Sequence, residues 1–515
     1  MFRLVQAIIV LYLVSSSFCT MALDFPLPQT NFIPAKMPMY PVYPRPDSET
    51  QAHARNRWAH PDFRYEIPIG VQGGAWPFKY EIVQGPNGAA VGAYYGDTNY
   101  GIVTWTPTES SGTVPFTIRV TDQELNTLEI SWSVTVDADQ FVFIQDGYSG
   151  PKVGTISQPL ESFTDWYKSD SSDATYKNKI VVFRGGKYSA YGSAASNGNV
   201  KFDSTAKTPS LIGFPDETPI IDCSLAKFFY SISLDDIFVA GIRFENGRQD
   251  VANAHFFWVT AASDRVTFWN NYFYNLGPGT AGIDNTSTVF ISDTGTLKEN
   301  FLYKGNTVEN IHNNGYNGSY VEAYTTSHVL FEENIAKNSE SNAGFFPKAT
   351  VAYVTVRANQ AYENVAGSQL GIGYDWTGGY VPHDTEICWN RVVIKPGNSS
   401  QLLMMWAHGE GFSGQTYNSF IYRNTFVNGS SWVRFPGKEL FETDGNVVVS
   451  DFLKRWELDS MKSVIPNLTG GESAGITDSS GLLTGHYRSL YLGVRGHELS
   501  SEYVTTPKAI GLIVK

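Results

Sequence analysis

Glu332-Glu333-Asn334 and, 25 residues later, Arg357-Ala358-Asn359 are two instances of one pattern that decides how this chain folds. The same motif, a short apolar or aromatic run closed by asparagine, recurs at Asn246, Asn271, Asn306, Asn334, Asn359, Asn390 and Asn424, at intervals of 25, 35, 28, 25, 31 and 34 residues. A strict helical repeat would keep its period. Stacked coils of short strands joined by loops of unequal length need not. The reading is a right-handed parallel β-helix in which one buried asparagine per coil bonds the coils above and below, satisfying a turn whose backbone would otherwise be orphaned. These asparagines are therefore expected to be structural.

Working outward, the chain divides into five segments. Residues 1–22 carry Arg3, an apolar run from Leu4 to Val14 broken only by Gln6, and a small-residue exit at Thr20-Met21-Ala22. That is the signature of a cleaved secretory signal, and no later segment approaches the ~20 apolar residues of a membrane span. The expected product is secreted and monomeric. Residues 23–63 hold eight prolines, seven of them between Pro26 and Pro46, and read as an extended strap or linker. Residues 64–137 alternate with period two in runs such as Phe78-Lys79-Tyr80-Glu81-Ile82-Val83 and Phe116-Thr117-Ile118-Arg119-Val120, which makes a small β-sandwich. Residues 138–450 are the coils, and 451–515 an extension expected to pack on them and cover an open strand edge. The fold class is all-β.

The formal net charge of −13 disfavours nucleic acid and anionic membranes as partners, but not an acidic polysaccharide. Once the signal is removed two cysteines remain, Cys223 and Cys388. About six coils at roughly 4.8 Å each separate them, well past the ~7 Å reach of a disulfide. Two buried thiols are expected.

Chemistry is expected on the first parallel sheet, where loops raise the walls of a groove. Alignment on the ladder asparagines gives an outward column of Thr260, Asp293, Tyr324, Lys348, Asp375 and His408, with Trp258, Glu322, Phe346 and Trp406 two residues upstream on the same face. Ionisable groups stacked at ~4.8 Å are costly on a covered face, and aromatic rings beside charges suit sugar rings and their hydroxyls. Trp258, Trp376 and Trp406 are candidate stacking residues, and Asn313 and Asn314 candidate hydroxyl partners. His312, in the run His312-Asn313-Asn314-Gly315-Tyr316, is a further candidate base that also has a plain structural reading. Arg357 is expected to face outward on another side.

The coils, the signal and this column together resemble the pectate-lyase-like superfamily of polysaccharide lyases and glycoside hydrolases, over residues 138–450. Within the sandwich, Gly101-Ile102-Val103-Thr104-Trp105-Thr106-Pro107 and Phe116-Thr117-Ile118-Arg119-Val120-Thr121-Asp122 resemble the immunoglobulin-like or cadherin-like domains fused to secreted bacterial enzymes. Asp122 is read as a turn former rather than a cadherin-type calcium ligand. The superfamily resemblance implies β-elimination on a uronic acid, in which a base removes the C5 proton while a cation or donor neutralises the substrate carboxylate. Lys348 matches the strand lysine of chondroitinase-type and alginate lyases and is the implied base, with Tyr324, His408 and His312 as rival bases or the acid. Asp293, Glu322 and Asp375 are the implied Ca2+ ligands. The second basic residue that those families place a coil later is absent, the comparable stretch being Gly371-Ile372-Gly373-Tyr374-Asp375. Two other readings stand beside this one. One is a hydrolase using Glu322 and Asp375, two coils or on the order of 9.6 Å apart. The other is a non-catalytic carbohydrate-binding or adhesion protein.

Overall fold

The computed structural model describes residues 35–449 except 62, 93–100, 109–111, 163–164, 167–175, 177, 190–209, 224–227, 249–252, 260–262, 277–285, 292–295, 314–317, 342, 365–367, 374–382, 395–400, 407–418, 423–424, 428–440 and 445–446. From Phe141 onward the strands pair in parallel with strands one coil away, and the coils present three sheets. One coil shows the plan. Ser287–Ile291 lies in what we call sheet two, Lys298–Lys304 in sheet one and Thr307–Asn313 in sheet three; the next coil repeats the order with Ser319–Glu332, which bends from sheet two into sheet one, and Ile335–Lys337. This is a parallel β-helix, and the handedness of parallel crossovers makes it right-handed. Its interior is a stack of apolar side chains such as Val239, Phe268, Tyr303, Phe331 and Val356.

The asparagine ladder stands at the corner between sheets one and three. The Asn334 side-chain oxygen accepts from the Asn306 backbone N–H at 2.8 Å, and its Nδ2 donates to the Tyr303 carbonyl at 2.7 Å and to Asn359 Oδ1 at 2.9 Å. Asn271, Asn306, Asn359 and Asn390 repeat these contacts. The residue before each ladder position is left-handed, at Gly241, Asn270, Gly305, Glu333, Ala358 and Trp389. That conformation turns the chain sharply and strands peptide groups, which the asparagine side chains then satisfy. Asn246 corrects the expected series. Ile242, not Asn246, occupies the rung before Asn271, since its N–H donates to Asn271 Oδ1 at 3.3 Å. Asn246 begins a second, half-buried ladder at the other end of sheet three, accepting from Asn275 at 2.7 Å; Asn275 in turn accepts from Asn310 at 3.1 Å. Asn424 lies outside the described residues.

Residues 58–136 form a sandwich of a four-stranded sheet (Trp58–Ala59, Thr127–Val136, Thr113–Thr121, Lys79–Gln84) and a three-stranded sheet (Tyr65–Pro68, Ile102–Trp105, Ala90–Gly92). Phe116 stacks on Trp132 at 5.2 Å in its core, and the Trp132 indole N–H donates to the Tyr65 hydroxyl at 3.1 Å. Asp122 is a turn former: its carboxylate accepts from the N–H groups of Glu124, Asn126 and Ala75. Cys223 and Cys388 are both buried free thiols.

The sandwich and its strap are fused to the outer face of sheet one. Ile180, Val182, Ile212, Phe238, Leu302 and Leu330 project from that sheet into the same apolar cluster as the sandwich core, and a Cβ added at Gly70 would meet Leu302 at 3.0 Å. In the strap, Tyr40–Tyr43 pairs with Gly70–Gln72. The next outward column on sheet one is Trp269, Lys304, Glu332, Arg357 and Cys388. Arg357 faces outward as expected, yet it is fully buried: it bonds Glu332 at 2.8 Å and the Gly73 carbonyl at 3.1 Å, under the rings of Phe78 and Trp76. Lys304 donates to Glu332 at 2.7 Å and to the Ile69 carbonyl at 3.3 Å. Burial opposes the charge on Glu332, but Arg357 and then Lys304 outweigh it and hold the carboxyl below its ordinary pKa.

Candidate functional site

With sheet one covered, the outer face of sheet two is where those sequence-predicted site residues that are described come together. Its strands are Phe228–Ile232, His255–Val259, Ser287–Ile291, residues 319–324, residues 343–348, Ser368–Gly373 and Gln401–Trp406. Strand alternation sends Phe257, Val259, Val289, Ile291, Val321, Ala323 and Phe345 into the interior. The opposite face carries a register column of Trp258, Phe290, Glu322 and Phe346. Phe290 and Tyr324 cluster with Trp258 apart from the interior core. Phe290 is the hub: His255 stacks on it at 4.4 Å with planes 5° apart, Tyr324 meets it edge-on at 5.4 Å, and Trp258 lies at 6.5 Å.

Glu322 sits in the rung between Phe290 and Phe346 and is fully buried, while Trp258 is half-buried at one end of the column. Two residues beyond Glu322, Tyr324 pairs with Lys348. A bulge follows at Thr325, which is left-handed, and here the strand leaves sheet two for sheet one. Such a bulge re-aims the residues beside it. The Tyr324 carbonyl, freed from the ladder at this corner, accepts from Lys298 Nζ at 3.3 Å. Lys298 is buried, and the sequence alone did not single it out. Its signal was a lysine one residue after the apolar Leu297 and just before the core run Phe301-Leu302-Tyr303.

Each proposed site residue can now be placed. Glu322 and Trp258 share one column as expected, with Tyr324 on the same face. Lys348 lies in the rung opposite Tyr324 as expected; its side chain is outside the described residues. The rest of the column is out of register. Phe290, not Ile291, is level with Glu322, so the count sets residue 292 rather than Asp293 against Tyr324. Phe345 pairs with Leu370, and Gly373 with Trp406, so the count from Lys348 reaches Gly373 and Trp406 instead of Asp375 and His408. Trp406 therefore belongs level with Lys348, not two residues upstream. The slip has a physical cause, since the loops between sheet two and the asparagine ladder differ in length from coil to coil. Thr260, Asp293, Asn314, Asp375, Trp376 and His408 lie outside the described residues, as do the side chains of Asn313 and Trp406.

His312 is the penultimate residue of the strand Thr307–Asn313 and does not enter the sheet-two strand; its Nε2 bonds Asn310 Oδ1 at 2.8 Å, next to the second asparagine ladder. Of the implied calcium ligands only Glu322 is described, and among the described residues no group of three acidic, histidine or cysteine side chains converges on one point. This face carries a closely packed strip of aromatic rings of which Trp258 is the half-buried member, a buried carboxyl in the rung between two of them, and a phenol beside a lysine position.

No family model matches the chain, and no curated protein matches it. Among solved structures, the family 28 exopolygalacturonase of Yersinia enterocolitica is similar over 79% of this chain and 95% of its own, at 8% identity and a TM-score of 0.23.

Proposed function

We propose that the chain is a secreted enzyme that cleaves an acidic, uronic-acid-containing polysaccharide over the outer face of sheet two by β-elimination, as a member of the pectate-lyase-like superfamily. The observation that carries this is the run Trp258, Phe290, Glu322 and Phe346 on one outward column, ending beside the Tyr324 and Lys348 pair. Pyranose rings stack on aromatic faces, and a polymer lying along the helix axis meets a new rung about every 4.8 Å. Elimination then needs a base for the C5 proton and a donor for the departing 4-linked oxygen, and two groups in facing rungs reach opposite ends of one sugar. Lys348 is the base in this scheme and Tyr324 the donor. The buried Lys298, bonded to the Tyr324 carbonyl, is a positioning residue that fixes the corner from which the phenol projects. Secretion rests on residues 1–22, and the immunoglobulin-like assignment of the sandwich on its sequence pattern.

Incubation of the full chain with a panel of pectate, alginate, glucuronan and sulfated uronates tests the reading. Ultraviolet absorbance from a new C4–C5 double bond is the expected result. New reducing ends without absorbance would assign hydrolysis instead, which the recessed Glu322 favours as a second reading because a carboxyl held between Phe290 and Phe346 suits a proton donor. Neither product from any polymer would leave a binding module and overturn the enzyme.

A further inference from the structure

The segment that precedes the coils lies along them in two antiparallel arms. Residues 63–76 run from the first coils to late ones. Phe63 packs on Phe143 at 5.8 Å, the Ile69 carbonyl accepts from Lys304 at 3.3 Å, the Gly73 carbonyl accepts from Arg357 at 3.1 Å, and Trp76 meets Trp389 at 5.2 Å. Strap residues 36–53 run back. Lys36 Nζ lies 5.7 Å over the Phe420 ring, Tyr40 stacks on His328 at 3.7 Å, Tyr43 meets Phe238 at 5.5 Å, and the Gln51 N–H donates to Asp236 at 2.8 Å. The arms join where Tyr40–Tyr43 pairs with Gly70–Gln72. Eight successive pairings on sheet one lead from Phe143 to Cys388, the residue before Trp389. At roughly 4.8 Å each they span about 38 Å, and the chain from Phe63 to Trp76, extended at about 3.3 Å per residue, reaches about 43 Å. The arm is close to full stretch.

A solenoid takes its stability from each coil and its immediate neighbours, so coils at one end can open while the other end stays folded. The arms change that. Val42, Ile69 and Val71 are buried in one apolar cluster with Val182, Leu302 and Leu330 of sheet one. A coil that opens must strip this surface, and the carbonyls from Lys304 and Arg357, off an element that also grips coils far away. An extended arm cannot follow one coil outward and keep its hold on the rest. We propose that residues 36–76 are an axial clasp that makes the coils from Phe143 to Phe420 unfold as one unit. Because the clasp precedes every coil in the chain, it closes only once the coils of Trp389 and Phe420 exist. It holds whichever reaction the sheet-two face performs.

Native-state hydrogen exchange of the full chain in rising urea tests this, read at the early strand Ile180–Phe183 and the late strand His383–Cys388. In the wild type both strands should exchange through one opening, with the same urea dependence and protection within about twofold. Phe331→Leu loosens the interior beneath the middle of the clasp and should lower protection equally at both distant strands; without a clasp its effect would stay in the adjoining coils. Gly70→Leu, whose Cβ alone meets Leu302 at 3.0 Å, should pry the arms off at mid-length and split the protection of the two strands by at least about tenfold. If Gly70→Leu does not fold, the wild type and Phe331→Leu carry the test. Different urea dependences for the two strands in the wild type would overturn the clasp. So would a Phe331→Leu effect confined to adjoining coils, or two strands still coupled in a folded Gly70→Leu.

Discussion

Replacing Asn334 by alanine should destabilise this protein far more than replacing Asn246, although both close the same sequence motif. Asn334 is fully buried, and its removal deprives the Asn306 N–H and the Tyr303 carbonyl of their bonds at 2.8 and 2.7 Å and also ends the contact with Asn359 Oδ1 at 2.9 Å. The left-handed Glu333 before it holds the turn geometry, so the backbone cannot rearrange to reseal itself. Each buried group left unsatisfied costs about 1–3 kcal/mol, and two backbone groups give roughly 2–6 kcal/mol. With an unfolding entropy near 2.1 cal/mol/K per residue over roughly 400 ordered residues, a middle value of about 4 kcal/mol lowers Tm by about 5 °C. Asn246 accepts one bond, from Asn275 at 2.7 Å, in a half-buried ladder that water reaches. Its loss should cost under about 1 kcal/mol, or about 1 °C. Differential scanning calorimetry of Asn334→Ala and Asn246→Ala at one scan rate reads the difference. Equal shifts, or a larger one for Asn246, would refute the account of the ladder.

Lys348→Ala should lower turnover by at least ~10² with Tm nearly unchanged, and Lys348→Arg should not restore it if lysine is the base, since arginine stays charged; an active arginine variant in a cleavage assay would hand the base role to Tyr324. Arg357→Met should destabilise by about 3–5 kcal/mol, because it leaves Glu332 with Lys304 alone and strips the Gly73 carbonyl; a thermal midpoint within a degree of wild type would show that the sandwich is not anchored there. Deleting residues 1–137 should abolish folding for the same reason, read by loss of a cooperative thermal transition. His328 lies between the rings of Tyr40 at 3.7 Å and Tyr353 at 4.8 Å, and burial, then Arg45, lowers its pKa from 6.5 to about 4. The unfolded chain therefore binds a proton between those values that the folded chain does not, so stability should be lost as pH falls from 6.5 towards 4; His328→Phe should flatten that part of a Tm-against-pH profile, and an unchanged slope would count against it.

The coils were legible because their corner leaves the chain no freedom. A left-handed residue strands peptide groups inside the protein, and an asparagine side chain satisfies a donor and an acceptor at once, so the residue recurs wherever the turn does. The motif alone could not distinguish the buried ladder from the half-buried one, since Phe244-Glu245-Asn246 reads like its neighbours. The outer column of sheet two was legible as a face but not in register. From Trp258, Phe290, Glu322 and Phe346, which stand in one column, the ladder asparagines Asn271, Asn306, Asn334 and Asn359 lie 13, 16, 12 and 13 residues on. Counting back across that corner slips by as much as the loops differ.

The attachment of the sandwich was hidden for a different reason. Lys304, Glu332 and Arg357 each read as an ordinary charge before a ladder asparagine, and nothing in their spacing shows that the sandwich segment 69–73 brings the carbonyls of Ile69, Val71 and Gly73 down onto them. That contact decides more than stability. A parallel β-helix has three outer faces, and a polymer needs one that is long, open and chemically varied. Sheet one is closed by the sandwich. Sheet three carries charges already joined in pairs, Lys187 with Glu245 at 2.7 Å and Lys337 with Glu309 at 3.0 Å, as a solvated surface would. Sheet two carries the Trp258, Phe290, Glu322 and Phe346 column and is not covered by the sandwich, so under the proposed function the domain that closes one face directs the substrate to another.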